Sequence, residues 1–180
     1  MSDEQTLLSA DAEPFVPTGT PDPLPEGEVF EASPDTWYNL RVHYKDDKGN
    51  PLTGLMYPLA SNPATSFYEY MVLGSSPMGL PPVKLRLKPR PDGWAIWEID
   101  WEGGIQYLSL KLTGWAYRAS NKGYAIGWQI VDNKLYNEYW SKNWKGFPAG
   151  WAHRRTLVPD AYYVGVSLPQ VFTCELVPAS

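Results

Sequence analysis

The sequence predicts an all-β domain, an antiparallel β-sandwich or barrel. Three observations carry that prediction. Apolar and polar residues alternate with a period of two in one short run after another. Clusters of Gly, Asn, Asp and Pro separate the runs about every 8–12 residues, the spacing of sandwiches and barrels. No stretch repeats its apolar residues with the 3.6-residue period of an amphipathic helix.

The elements follow in order. Trp37 to Tyr44 is a first strand, and Asp46-Asp47-Lys48-Gly49-Asn50-Pro51 has turn composition throughout. Phe67 to Leu73 is a second, aromatic run. Val83, Leu85 and Leu87 alternate with Lys84, Arg86 and Lys88, and Pro91-Asp92-Gly93 ends the run. Ala95, Trp97, Ile99 and Trp101 share one face, Glu98 and Asp100 the other, and Glu102-Gly103-Gly104 turns the chain. Leu108, Leu110 and Leu112 alternate with Ser109 and Lys111, and Thr113-Gly114 leads to Trp115–Arg118. Tyr124, Ile126, Trp128 and Ile130 share a face, and Asp132-Asn133 leads to Lys134-Leu135-Tyr136. Tyr162–Val166 and Val171–Val177 are the last strands.

Residues 1–35 differ from the rest. They hold nine acids (Asp3, Glu4, Asp11, Glu13, Asp22, Glu26, Glu28, Glu31 and Asp35), six prolines, and no Lys, Arg, Trp or Tyr. Such a segment buries little apolar surface against its ordering entropy, so a disordered, extended acidic tail is expected. Phe15-Val16 and Val29-Phe30 are its two apolar clusters and its means of docking on the body. Residues 36–180 then form a single all-β domain.

Charge narrows the function. The net charge of −5 conceals a body with eleven acids and fifteen bases. That mild basicity suits anionic surfaces but falls short of a dedicated nucleic-acid binder. Cys174 is the single cysteine, so no intrachain disulfide forms. No apolar run approaches the ~18 residues of a membrane span. The acidic Met1-Ser2-Asp3-Glu4 lacks the positive start of a signal peptide. The expected location is the cytoplasm, or release without a classical signal.

A resemblance emerges from residues 97–136. Trp97-Glu98-Ile99, Gly104-Ile105-Gln106-Tyr107-Leu108-Ser109, Gly114-Trp115-Ala116-Tyr117, Trp128-Gln129-Ile130 and Leu135-Tyr136 have the rhythm of one β-trefoil unit. This resembles the ricin-type and fascin-type modules and implies a β-trefoil as the alternative architecture. Three matching repeats and the ricin-type Gln-x-Trp signature are missing. A looser likeness links the aromatic-rich, all-β composition to aegerolysin- and actinoporin-type cytolysins.

Eight of the nine tryptophans fall between Trp94 and Trp151. The segment Tyr139 to Arg155 gathers Tyr139, Trp140, Trp144 and Trp151 with Lys142, Asn143, His153, Arg154 and Arg155, and its Gly146, Pro148 and Gly150 predict a loop. Aromatic faces stack on pyranose C–H groups while amide and cationic donors fix hydroxyls. The ligand-binding candidates are therefore Tyr139, Trp140, Lys142, Asn143, Trp144, Trp151, Arg154 and Arg155. The expected function is a non-catalytic, lectin-like module for carbohydrate or glycoconjugate. The alternative partner is a membrane lipid headgroup, as in a pore-forming toxin component, since the same aromatics settle at headgroup depth. The competing account is that these rings fold the loop back onto the core.

Lys84, Arg86 and Lys88 form a basic row that suits an anion, or protects an exposed strand from edge pairing. Glu98, Asp100 and Glu102 alternate about 7 Å apart, within reach of the ~5–9 Å of paired glycosidase carboxylates. An exposed polar face explains them equally well, and a small β-sandwich enzyme is the third reading. His43 and His153 have no ligand at zinc spacing, and Asp46–Asn50 lacks the calcium-loop pattern, so neither metal nor cofactor is expected. Cys174 shares its register with Phe172 and Leu176, which favours a core residue over a nucleophile.

Overall fold

The computed structural model describes residues 13–59, 69–139, 149–154, 160–166 and 168–179. Thirteen strands join in one branched, antiparallel sheet that is not closed into a barrel. Among the described residues there is no α-helix, and Lys122–Tyr124 forms a 3₁₀ turn. No described helix is long and apolar enough to cross a membrane.

Strand β1 (Tyr38–Lys45) is the hub. Tyr38, Leu40, Val42 and Tyr44 point inward while Arg41 and Lys45 point out, the period-two alternation that the sequence predicts. Strand β2 (Pro51–Pro58) pairs β1 from Arg41 to Lys45, and β13 (Thr173–Pro178) pairs it from Tyr38 to His43. β2 then changes partner. Leu55 still faces β1, whereas Met56, Tyr57 and Pro58 pair β3 (Met71–Leu73). A strand that switches partners in this way turns the corner between two layers. Gly54 stands at the bend, where an added Cβ would lie 3.0 Å from the Gly74 Cα.

Beyond β3 the layer continues through β11 (Ala161–Gly165), β10 (Gly150–Arg154) and the two-residue β12 (Gln170–Val171). On the other side of β1 it runs through β4 (Leu85–Pro89), β5 (Ala95–Trp101), β6 (Gly104–Leu110) and β7 (Ala116–Ala119). β8 (Gly127–Val131) branches from β5 and pairs β9 (Lys134–Asn137). The β5–β6 and β8–β9 turns are two-residue loops with positive φ at both positions, 46° and 82° at Glu102-Gly103 and 51° and 63° at Asp132-Asn133. That is the I′ geometry whose twist matches paired strands.

Leu40, Val42, Met56, Leu85, Trp97, Ile99, Trp128, Phe172 and Cys174 are all buried in the main core. Each large side chain removed from water contributes about 1.5–3 kcal/mol. A second cluster, Leu59, Tyr70, Val72, Trp115, Tyr117 and Tyr163, lies on the reverse face of β3 and β11. Met71, Leu73, Tyr162 and Val164 meet the main core from the same two strands. The layer is thus apolar on both faces, which is why Met71–Leu73 is buried without alternation.

One part of the sequence expectation changes. Residues 150–154, expected within a loop, form β10 and pair both β11 and β12. Trp151 and His153 alternate with Ala152 and Arg154, a strand pattern that the flanking Gly and Pro obscured. Residues 13–35, within the segment expected as an acidic tail, contact the body at the apolar clusters around Phe15 and Phe30. The Phe15 amide donates to the Leu110 carbonyl, Asp22 to Glu138 and Phe30 to Ile130. Phe15 packs on Tyr139 with ring centroids 5.2 Å apart, and Phe30 on Tyr38 at 5.8 Å.

Candidate functional site

An open cleft of about 460 Å³ lies at the rim of the main core, lined by Tyr44, Leu73, Gly74, Ser75, Pro77, His153, Asp160, Ala161 and Tyr162. Antiparallel register explains the arrangement. His153 and Tyr162 are direct partners on β10 and β11, and Tyr162 is also the partner of Leu73 on β3. These side chains therefore share one face. Tyr44 arrives from the end of β1, and its ring meets Tyr162 edge-on at 5.5 Å and Trp151 at 6.2 Å.

His153 anchors the polar side. One ring nitrogen lies 2.5 Å from Asp47 Oδ2 and the other 2.5 Å from Asp160 Oδ1. Asp47 comes from the β1–β2 turn, which Asp46 makes firm by accepting from the Lys48 and Asn50 amides. The Asn50 contacts, first the backbone and then the side chain, hold the Asp46 carboxyl below the ordinary carboxylate range. The clasp so ties the first hairpin to β10 and the start of β11. Burial, and next the neighbouring Tyr162, push the Tyr44 phenol above its usual value, so it stays a neutral donor.

Position separates the candidates of the sequence analysis. Trp151 is buried, 4 % exposed, with its ring 5.3 Å from Tyr162, and it lines a separate recess with Thr53 and Thr173 rather than this cleft. Arg154 points to the opposite face, its guanidinium 5.2 Å from the Trp115 ring. Tyr139 is half-buried against Phe15. Trp140, Lys142, Asn143, Trp144 and Arg155 lie outside the described residues. Of the basic row, Arg86 carries Glu98 at 2.9 Å and stacks on Trp37, and Lys88 faces Asp35 at 3.8 Å. Lys84 directly precedes β4.

The catalytic candidates are similarly placed. Glu98 is engaged by Arg86, whereas Asp100 and Glu102 are exposed beside Trp101. His43 has Thr53 Oγ1 at 2.9 Å on one nitrogen and Glu175 at 3.0 Å on the other. Cys174 is fully buried, and burial pushes its thiol up, away from the thiolate a nucleophile needs. No group of three or more metal-ligating side chains occurs among the described residues.

Sequence reasoning missed Asp47, Asp160, Tyr162 and Tyr44 as cleft residues. The register of His153 against Tyr162 was the available signal, and it stayed hidden while residues 150–154 counted as loop. Fold and cleft together define an all-β protein with an aromatic, carboxylate-rimmed recess. No family model, curated protein or solved structure matches the chain.

Proposed function

We propose that this protein is a non-catalytic carbohydrate- or glycoconjugate-binding module and that the cleft between Tyr44 and Asp160 receives the sugar. One observation carries the reading. Aromatic rings, a tyrosine hydroxyl, Ser75 and the exposed Asp160 carboxylate converge on an open recess of about 460 Å³. Ligand sites of ~300–1,000 Å³ combine apolar walls with a few placed polar groups in this way. Ring edges meet pyranose C–H groups, and carboxylate and hydroxyl oxygens accept from sugar hydroxyls.

Binding is favoured over catalysis because both nitrogens of His153 are already committed to carboxylates. A general base needs a nitrogen open to its substrate.

The test is a heteronuclear NMR titration with a panel of mono- and disaccharides, run on the native chain and on Tyr162→Phe and Asp160→Asn. Saturable shifts at Gly74, Ser75 and Tyr162, weakened at least tenfold by Asp160→Asn at a temperature where the variant is still fully folded, are expected. Shifts that ignore Asp160→Asn would remove the cleft from the reading. A response to anionic liposomes and to no sugar would replace it with headgroup binding.

A further inference from the structure

A second recess lies away from His153. It measures about 150 Å³ and is lined by Pro58, Leu80, Pro81, Pro82, Val83, Asp100, Trp101 and Glu102. Its walls are proline rings, aliphatic groups and a half-buried indole. Asp100 and Glu102 stand exposed at its edge. Neither carboxylate forms an ion pair or side-chain hydrogen bond among the described residues, although the Asp100 backbone amide donates to the Lys84 carbonyl.

Local structure holds this recess rigid. Trp101 ends β5 and pairs Gly104 across the two-residue turn, so the turn sets Glu102 beside the indole. The guanidinium of buried Arg118 lies 3.7 Å from the Trp101 ring centroid and donates to Gln106 Oε1 at 2.5 Å. That contact fixes the indole plane before any ligand arrives. Two prolines at 81 and 82 stiffen the facing wall.

We infer that this recess is a second carbohydrate subsite, one that takes a single neutral pyranose against Trp101 with Asp100 and Glu102 accepting from two of its hydroxyls. A preordered indole suits the C–H face of a sugar ring. The volume equals roughly five waters, enough for the face of one ring and too little for a disaccharide. Arg118, held on the Trp101 ring, interacts electrostatically with Glu102, and hydroxyl donors complement the two carboxylate acceptors. The inference rests on the carbohydrate reading above and extends it. Two separate sugar sites on one chain let a branched or repeating glycan bind by avidity, with gains of ~10²–10⁴ when both engage.

Methyl glycosides of glucose, galactose and mannose are the probes, with the Trp101 indole N–H and the Tyr162 amide as separate NMR reporters on the full chain. The expected result is a saturable Trp101 shift with one glycoside, at least tenfold weaker in Asp100→Asn/Glu102→Gln, while the Tyr162 response stays as it was. Because Trp101→Ala risks the packing beneath it, the exposed carboxylate pair is the deciding variant. A Tyr162 response with a silent Trp101 would overturn the subsite and leave the cleft reading intact. Silence at both reporters would sink the two together. A Trp101 shift with glucosamine alone, or with a proline-rich peptide and no glycoside, would also overturn it.

Discussion

The imidazole of His153 lies flat on the ring of Tyr162, with centroids 4.3 Å apart and planes 19° from parallel. The two residues are cross-strand partners, so the stack is a direct product of β10–β11 register. It turns the aromatic face of Tyr162 toward His153 and leaves the rest of the ring to the cleft. The same imidazole holds Asp47 and Asp160, which joins three elements through one side chain.

Replacing His153 tests that junction. His153→Ala removes the ring that Asp47 and Asp160 both contact, and with it the stack on Tyr162. A loss of about 1.5–3 kcal/mol is expected, the range for hydrogen bonds to charged groups. Urea denaturation would measure it. A loss below ~0.5 kcal/mol would mean that the clasp contributes no stability.

Gly74 supports the other wall. Its φ is 92°, and a Cβ there would stand 2.8 Å from the Tyr44 hydroxyl. Gly74→Ala is therefore strained twice, by backbone and by contact, and a cost of about 1–3 kcal/mol follows. Tyr44 would also move, so sugar affinity should fall along with the melting temperature.

Glu175 sets an acid-side dependence. Burial opposes ionisation, but Arg41 at 2.6 Å and then His43 outweigh it and hold the carboxyl below its ordinary 4.5. A depressed carboxyl stabilises the fold above its unfolded pKa, and that contribution is lost as pH falls through the folded value. Glu175→Gln should flatten the stability profile below pH 4.5. Equal slopes for variant and native protein would reject the linkage.

Phe30 tests the docked amino-terminal segment. Its amide extends the edge of β8 at Ile130, and its ring packs on Tyr38. Phe30→Ala should lower stability by about 1–3 kcal/mol, below a fully buried phenylalanine because the ring keeps some exposure. Unchanged stability would mean that residues 13–35 add nothing to the fold.

Much of the architecture was legible because alternation is local. β1, β5 and β8 announce themselves through Leu40 and Val42, Trp97 and Ile99, Trp128 and Ile130, and the I′ turns through Glu102-Gly103 and Asp132-Asn133. β2 was not legible, since Pro51, Gly54 and Pro58 give it the composition of a loop. Its role explains the composition: it opens at an edge, bends at Gly54 and changes partner. The docking of residues 13–35 was half legible. Phe15 and Phe30 stood out, whereas the backbone bonds that fix the segment carry no side-chain signature. The cleft was least legible, because Asp47 meets His153 across 106 positions and no local pattern reports such a pairing.

β1 takes its long partner β13 from the far end of the chain, with Tyr38 opposite Pro178. During synthesis the hub strand waits for this neighbour while all the intervening strands are made. Its inward row of Tyr38, Leu40, Val42 and Tyr44 stays a half-covered apolar edge through that interval. Closure over such a sequence separation is slow and open to aggregation. The main core therefore cannot close around β1 until β13 has been made.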